Sequence, residues 1–77
     1  MTLDIIISLL SEIISVSESD LSARTPLTPE YDIELIDIAK LMIEIEKRFE
    51  VTIHDEIVHT FGTLNDVAEY VDTLIAE

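Results

Sequence analysis

The chain has very few of the residues that interrupt helices. It contains one glycine and two prolines in 77 residues, whereas folds built from many short strands need frequent turns that use these residues. It also has no cysteine, so no disulfide framework holds it together. A chain of this length forms one domain. We therefore predict an all-α fold in a single domain that spans residues 1–77.

Three segments repeat apolar residues at helical spacing. The first runs from about Leu3 to about Ser15, and the last begins after Thr63, which forms a capping-box pattern with Asp66. In each segment, apolar residues recur at i, i+3, i+4 and i+7, as expected of a helix with one face in the core. The predicted core residues of these two helices are Leu3, Ile6, Ile7, Leu10, Ile13 and Ile14, then Leu64, Val67, Ala68, Val71, Leu74 and Ile75.

The middle segment, from about Ile33 to about Phe49, is apolar over a broad arc. On a helical wheel that arc comprises Leu35, Ile36, Ile38, Ala39, Met42, Ile43, Ile45 and Phe49. The other arc carries charge, with Leu41 lying among the charged residues. So wide an apolar arc predicts a central helix that contacts several neighbours. Glu44 and Arg48, at i and i+4, are predicted to pair.

Two connections complete the predicted bundle. The polar stretch from Ser15 to Tyr31 is expected to be anchored by Leu21 and Leu27, with one short turn near Ser19–Asp20. Residues 51–53 alternate like a strand but have no partner segment, so we predict a loop. A short helix near Asp55–His59 follows. The architecture is therefore a small bundle of three main helices plus one short helix.

The charge balance excludes several functions. Seventeen acidic residues face four basic ones, for a formal net charge of -13. Nucleic acids and anionic membranes both require a basic surface, so neither is an expected partner. The N-terminus lacks the basic region of a secretory signal, and its apolar run is too short to span a bilayer. We expect a cytoplasmic monomer.

No constellation of residues predicts catalysis. His54 and His59, at i and i+5, do not share a helix face as a zinc-binding pair would. The acidic cluster Glu30, Asp32, Glu34 and Asp37 is explained either by loose binding of a divalent ion or by the helix dipole, and we favour the dipole. No serine has a histidine or lysine near it in sequence that could activate it, so we predict that the chain is not an enzyme. Because we favour the dipole for the acidic cluster, we also predict that the chain holds no metal.

The order of the elements, the acidity and the segment from Thr25 to Val71 resemble an acyl carrier protein. The resemblance covers nearly the whole chain without a gap. The matching residues are Pro26, Leu27, Tyr31, Leu41, Glu46, Phe49, Ile53, Asp55, Glu56, Thr63, Leu64, Val67, Tyr70 and Val71. The resemblance implies an acyl-carrier-protein-like four-helix bundle whose second helix docks onto partner enzymes.

The resemblance also implies an attachment site, and here the chain departs from the family. Carrier proteins have an Asp-Ser-Leu motif at the start of the second helix, and its serine carries phosphopantetheine. The corresponding residues are Glu34, Leu35 and Ile36. Leu35 offers no hydroxyl, so we expect the chain as written to carry no cofactor, and to carry phosphopantetheine only if Leu35 were serine. The family's glycine three places earlier is Asp32, which tolerates a left-handed backbone better than most residues.

Three interpretations of Leu35 remain open at this stage. It extends the core, it is a natural loss of the attachment residue, or it was introduced in place of serine. The first would favour a generic acidic bundle unrelated to carriers. We favour natural divergence.

Two functions follow from the resemblance. One is a divergent module that docks onto acyl- or aminoacyl-handling enzymes of fatty acid, polyketide or peptide assembly without a prosthetic arm. The alternative is a carrier that shuttles thioester-bound acyl groups on phosphopantetheine, seen here in a form with serine replaced by Leu35. The predicted docking residues are Glu34, Asp37, Lys40, Leu41, Glu44, Lys47 and Arg48.

Overall fold

The computed structural model describes residues 2–54 and 60–76 of the chain. Within these residues it contains three α-helices, which we label α1 (Thr2–Ile14), α2 (Leu35–Phe49) and α3 (Leu64–Ala76). Two short 3-10 turns, Glu18–Asp20 and Pro29–Tyr31, lie in the connection between α1 and α2. The predicted all-α bundle is confirmed, and within the described ranges the only β pairing is an isolated bridge between Pro26 and Thr63. The predicted short helix at Asp55–His59 lies outside the described residues.

Helix α1 is the centre of the packing, because it contacts both α2 and α3. Its Ile6 and Leu10 are completely buried, and the other predicted core residues of this helix are half-buried against them. In α3, Leu64, Val67, Ala68 and Val71 are buried as predicted. Ile75 is an exception, since it is 50% exposed near the end of the chain, where α1 and α2 do not cover it.

The start of α3 is capped by side chains as its sequence predicts. Asp66 accepts hydrogen bonds from the backbone N–H groups of Gly62 and Thr63, at 2.8 and 3.0 Å. In return, the Thr63 hydroxyl accepts a long bond from the Asp66 N–H at 3.4 Å. These contacts satisfy donors that the first turn of a helix leaves without intrahelical partners.

The long connection is tied to the beginning of α3. The Leu27 N–H donates to the Gly62 carbonyl at 2.9 Å, and the Leu64 N–H donates to the Thr25 carbonyl at 3.1 Å. Leu27 is buried and Leu21 is half-buried against the core, so both predicted anchors are confirmed. These contacts fix the position of the connection before it reaches the start of α2.

Candidate attachment position and docking surface

The approach to α2 is a tight left-handed turn. Asp32 has φ 61° and ψ 25°, the conformation that glycine adopts most easily. The predicted tolerance of an aspartate for this turn is therefore confirmed. Directly after it, Ile33 is 1% exposed and anchors the loop in the core.

Helix α2 begins two residues later than its apolar pattern predicts. The Asp37 carboxylate accepts a hydrogen bond from the Glu34 N–H at 3.0 Å, which fixes Glu34 as the residue before the first helical turn. The Ile33 N–H donates to the Thr28 carbonyl instead of starting the helix. The predicted start at Ile33 is wrong because this residue is a buried loop anchor.

Leu35 is the first residue of α2 and lies at the surface. Its side chain is 68% exposed. The interpretation of Leu35 as an extension of the core is therefore wrong. A large apolar side chain at the exposed start of a helix adds nothing to the core, and it offers water an apolar surface.

Leu41, in contrast to Leu35, is buried. The helical wheel places it on the charged arc, but its side chain is fully buried at 0% exposure. It shares the core-facing side of α2 with Ile38, Met42 and Ile45, at the i, i+3, i+4 and i+7 spacing of a buried stripe. The prediction that places Leu41 among the exposed residues is corrected, and its side chain is not available to a partner.

The side of α2 that faces away from the core is partly apolar. Ile36 is 61% exposed and Ile43 is 50% exposed, and Ala39 between them is also exposed. The wheel assigns all three to the core arc, and that assignment is wrong. Because the apolar arc of α2 is so broad, the wheel could not tell which part of it α1 would cover.

Cations lie beside these exposed apolar residues. Lys40, Lys47 and Arg48 are all exposed. The Lys47 Nζ lies 3.9 Å from the Glu44 Oε1, so Glu44 pairs one turn away with Lys47 rather than with Arg48 as predicted. The Lys47 side chain is 72% exposed, and an ion pair this open to solvent adds little stability.

The acidic cluster before α2 does not converge on one point. Within residues 2–54 and 60–76, no three histidine, aspartate or glutamate side chains come together as metal ligands do. One member, Asp37, is used as a cap on the Glu34 N–H. His54 is exposed in the loop after α2, and His59 lies outside the described residues.

A shallow cleft of about 200 Å³ opens between the end of α1 and the loop that leads to α2. Asp20 and Thr25 supply its polar atoms, and the rest of its lining is mainly apolar: Ile14, Val16, Leu21, Tyr31 and Ile33. Binding sites for ligands of drug size are larger, at roughly 300 to 1,000 Å³. In the described part of the chain, no helix is long and apolar enough to cross a membrane.

Comparison of the sequence with known proteins indicates the family of the chain. The sequence model of the phosphopantetheine attachment site family matches residues 4–71. The chain is similar to an acyl carrier protein of Phytoplasma australiense, at 29% identity over 99% of this chain and 100% of that protein. It is also similar to acyl carrier proteins of Phytoplasma mali (27% identity, covering 80% of this chain and 74% of that protein) and Clostridium perfringens strain SM101 (27%, covering 82% and 83%). Because the family match spans α1, α2 and most of α3, the chain belongs to the acyl carrier protein family, whose members are carriers rather than enzymes.

Proposed function

We propose that this chain is a carrier-like docking module that works without a prosthetic arm. It docks through α2 onto acyl- or aminoacyl-handling enzymes of fatty acid, polyketide or peptide assembly, as a cytoplasmic monomer. The observation that carries the proposal is Leu35, which is exposed at the first residue of α2, where the family attaches phosphopantetheine. The module therefore keeps the shape that a partner recognises and lacks the atom that would hold the cargo.

The residues present do not fit the prosthetic group. Attachment needs a side-chain oxygen that can form a phosphodiester, and Leu35 has only methyl groups at its tip. No serine or threonine occurs anywhere in residues 29–51. The nearest preceding one, Thr28, has a fully buried hydroxyl oxygen that a modifying enzyme could not reach. No hydroxyl of this kind is therefore available at or beside position 35.

The docking surface in this proposal combines exposed and half-buried charged residues of α2 and its approach. Its members are Glu34, Asp37, Lys40, Glu44, Lys47 and Arg48; Leu41 is excluded because it is buried. Residues 30–50 still carry seven acids against three bases. Complementary charges speed association and select partners more than they raise affinity. The three cations therefore favour partners that differ from those of a uniformly acidic carrier.

Intact-mass measurement tests the absence of the arm. The chain is incubated with coenzyme A and a promiscuous phosphopantetheinyl transferase, alongside an acyl carrier protein that is known to be loaded. We expect no change in mass for this chain while the control gains one phosphopantetheine unit. A gain of that mass by the unaltered chain would refute the proposal.

A second candidate is a carrier that shuttles thioester-bound acyl groups, seen here in its Leu35 form. Two features favour it: the left-handed turn at Asp32 is retained, and the side chain at position 35 faces solvent. Under this hypothesis, Leu35→Ser restores an accessible hydroxyl, and the variant is loaded under the same conditions. If the variant stays unmodified while the control is loaded, the surrounding motif has lost competence as well.

A further inference from the structure

The outward side of α2 forms a ridge in which apolar and cationic residues alternate. Ile36, Lys40, Ile43 and Lys47 are separated by four, three and four residues. At 3.6 residues per turn they fall within about 60° of one another, on the side opposite the buried stripe of Leu41 and Ile45. The ridge is about 16 Å long at 1.5 Å per residue. All four residues are exposed.

The ridge has the spacing and shape of a helix-pairing surface. Residues at i, i+4, i+7 and i+11 are those that contact a second helix laid along the first. Ala39 lies beside the middle of the ridge, and its small side chain leaves room for a close approach. Leu35 extends the apolar surface at the beginning of α2. Folding leaves these apolar side chains in water, which is the signature of an interaction site when they are contiguous.

The charges on the ridge decide which partner fits. Both charged residues on it, Lys40 and Lys47, are cations, although the chain as a whole carries -13. The acids of α2 lie off the ridge: Asp37 caps the helix start, Glu46 accepts a hydrogen bond from the Ile53 N–H, and Glu44 flanks Lys47 at 3.9 Å. Charges at the edge of an apolar helix seam select a partner of the opposite sign. A basic partner would therefore meet repulsion at the point of closest contact.

We propose that this ridge binds an amphipathic helix of a partner protein, apolar on one face and edged with carboxylates. The proposal rests on the proposed function, because it takes α2 as the docking helix and specifies the chemistry of the surface that α2 meets. Ile36 and Ile43 enter the apolar face of the partner helix. Lys40 and Lys47 pair with its carboxylates.

Titration of the isotope-labelled full chain with two synthetic helical peptides tests the proposal. Both peptides carry the same leucine stripe; one is edged with glutamate and the other with lysine. The titration is run near physiological salt, where the screening length is about 8 Å, so that charges in contact dominate over the net charge. The readout is the shift of individual backbone amide signals, which separates binding on α2 from binding elsewhere.

We expect the glutamate-edged peptide to shift the amide signals of residues 35–47, and to bind there more tightly than the lysine-edged peptide. The double variant Lys40→Glu/Lys47→Glu should reverse that preference. Ile43→Ser should weaken binding roughly tenfold, because it removes one buried apolar side chain. Ile75→Ser is the matched control, since Ile75 is equally exposed but lies on α3, and it should leave binding unchanged.

Three outcomes would overturn the proposal. They are the absence of α2 shifts with the glutamate-edged peptide, a preference of α2 for the lysine-edged peptide, and α2 shifts that depend on the concentration of the protein alone. The last would mean that a second copy of the chain occupies the ridge. None of these outcomes involves coenzyme A. The proposal for the ridge and the proposal that the prosthetic arm is absent can therefore be refuted independently.

Discussion

Two leucines of α2 offer a direct test of how this helix is oriented. Leu41 is completely buried, whereas Leu35 is 68% exposed. Truncating each to alanine removes the same atoms from opposite environments. Leu41→Ala should cost about 3 to 5 kcal/mol through lost burial and the cavity it leaves. Leu35→Ala should change the free energy of unfolding by less than about 0.5 kcal/mol.

These magnitudes are large for so small a domain. At roughly 0.05 to 0.15 kcal/mol per residue, a chain of 77 residues has a total stability of about 4 to 12 kcal/mol. Leu41→Ala therefore removes much of it. Since that variant can fail to fold, Ile45→Val provides a milder test at a second fully buried position, with an expected loss of about 1 kcal/mol.

Urea denaturation followed by circular dichroism measures both effects in one buffer. The expected order of stability is parent and Leu35→Ala together, then Ile45→Val, then Leu41→Ala. Equal losses for the two leucine truncations, or a larger loss at Leu35, would refute the orientation of α2. The docking ridge would then face the core instead of the solvent.

Three further predictions concern the backbone and the charge. Glu50 ends α2 in a left-handed conformation with φ 54°, so Glu50→Gly should stabilise the fold by about 1 kcal/mol in thermal denaturation. As a control, Ala39→Gly within the helix should cost a similar amount. Destabilisation by Glu50→Gly would contradict this prediction. The Glu46 carboxylate accepts a bond from the Ile53 N–H at 2.8 Å, so Glu46→Ala should cost about 1 to 3 kcal/mol and Glu46→Gln much less; equal losses would show that this bond is unimportant. Finally, because acids outnumber bases by 17 to 4, added salt or millimolar Mg²⁺ should raise Tm by screening repulsion, and an unchanged Tm would show that the charges are too dispersed to matter.

The first and last helices could be predicted well from sequence because each has one apolar face. In α1 the residues Ile6 and Leu10 lie where the apolar spacing places them, in the core. In α3 the capping pair Thr63 and Asp66 marks the start, and the observed hydrogen bonds are those that the pattern predicts. Local signals suffice where polar and apolar faces are clearly separated.

The central helix could not be oriented from its own sequence. The apolar arc of α2 is so broad that the wheel does not show which part of it is buried, and it places the buried Leu41 among the charged residues. Which side is buried depends on where α1 lies, and that is a tertiary property. For this reason the sequence pattern places Ile36 and Ile43 of the proposed ridge on the apolar arc, although both are exposed. The helix also starts two residues later than predicted, because Ile33 is a buried anchor of the preceding loop and not the first residue of the helix.

The proposed attachment position lies in a segment with well-defined local structure. The left-handed turn at Asp32 and the cap at Glu34 lead into α2, whose buried residues extend to Ile45. Leu35 is the first residue of α2, is 68% exposed, and has an aliphatic side chain that cannot form a hydrogen bond. Its replacement by serine should therefore leave the fold intact, so a failure to load Leu35→Ser with phosphopantetheine would not be caused by unfolding.

Intact mass after incubation with coenzyme A and a promiscuous phosphopantetheinyl transferase shows whether this chain can carry the prosthetic arm. The parent chain and Leu35→Ser are treated side by side, with a loaded acyl carrier protein as the positive control. We expect the parent chain to keep its mass under conditions that load the control. A parent chain that gains one phosphopantetheine unit would contradict this expectation.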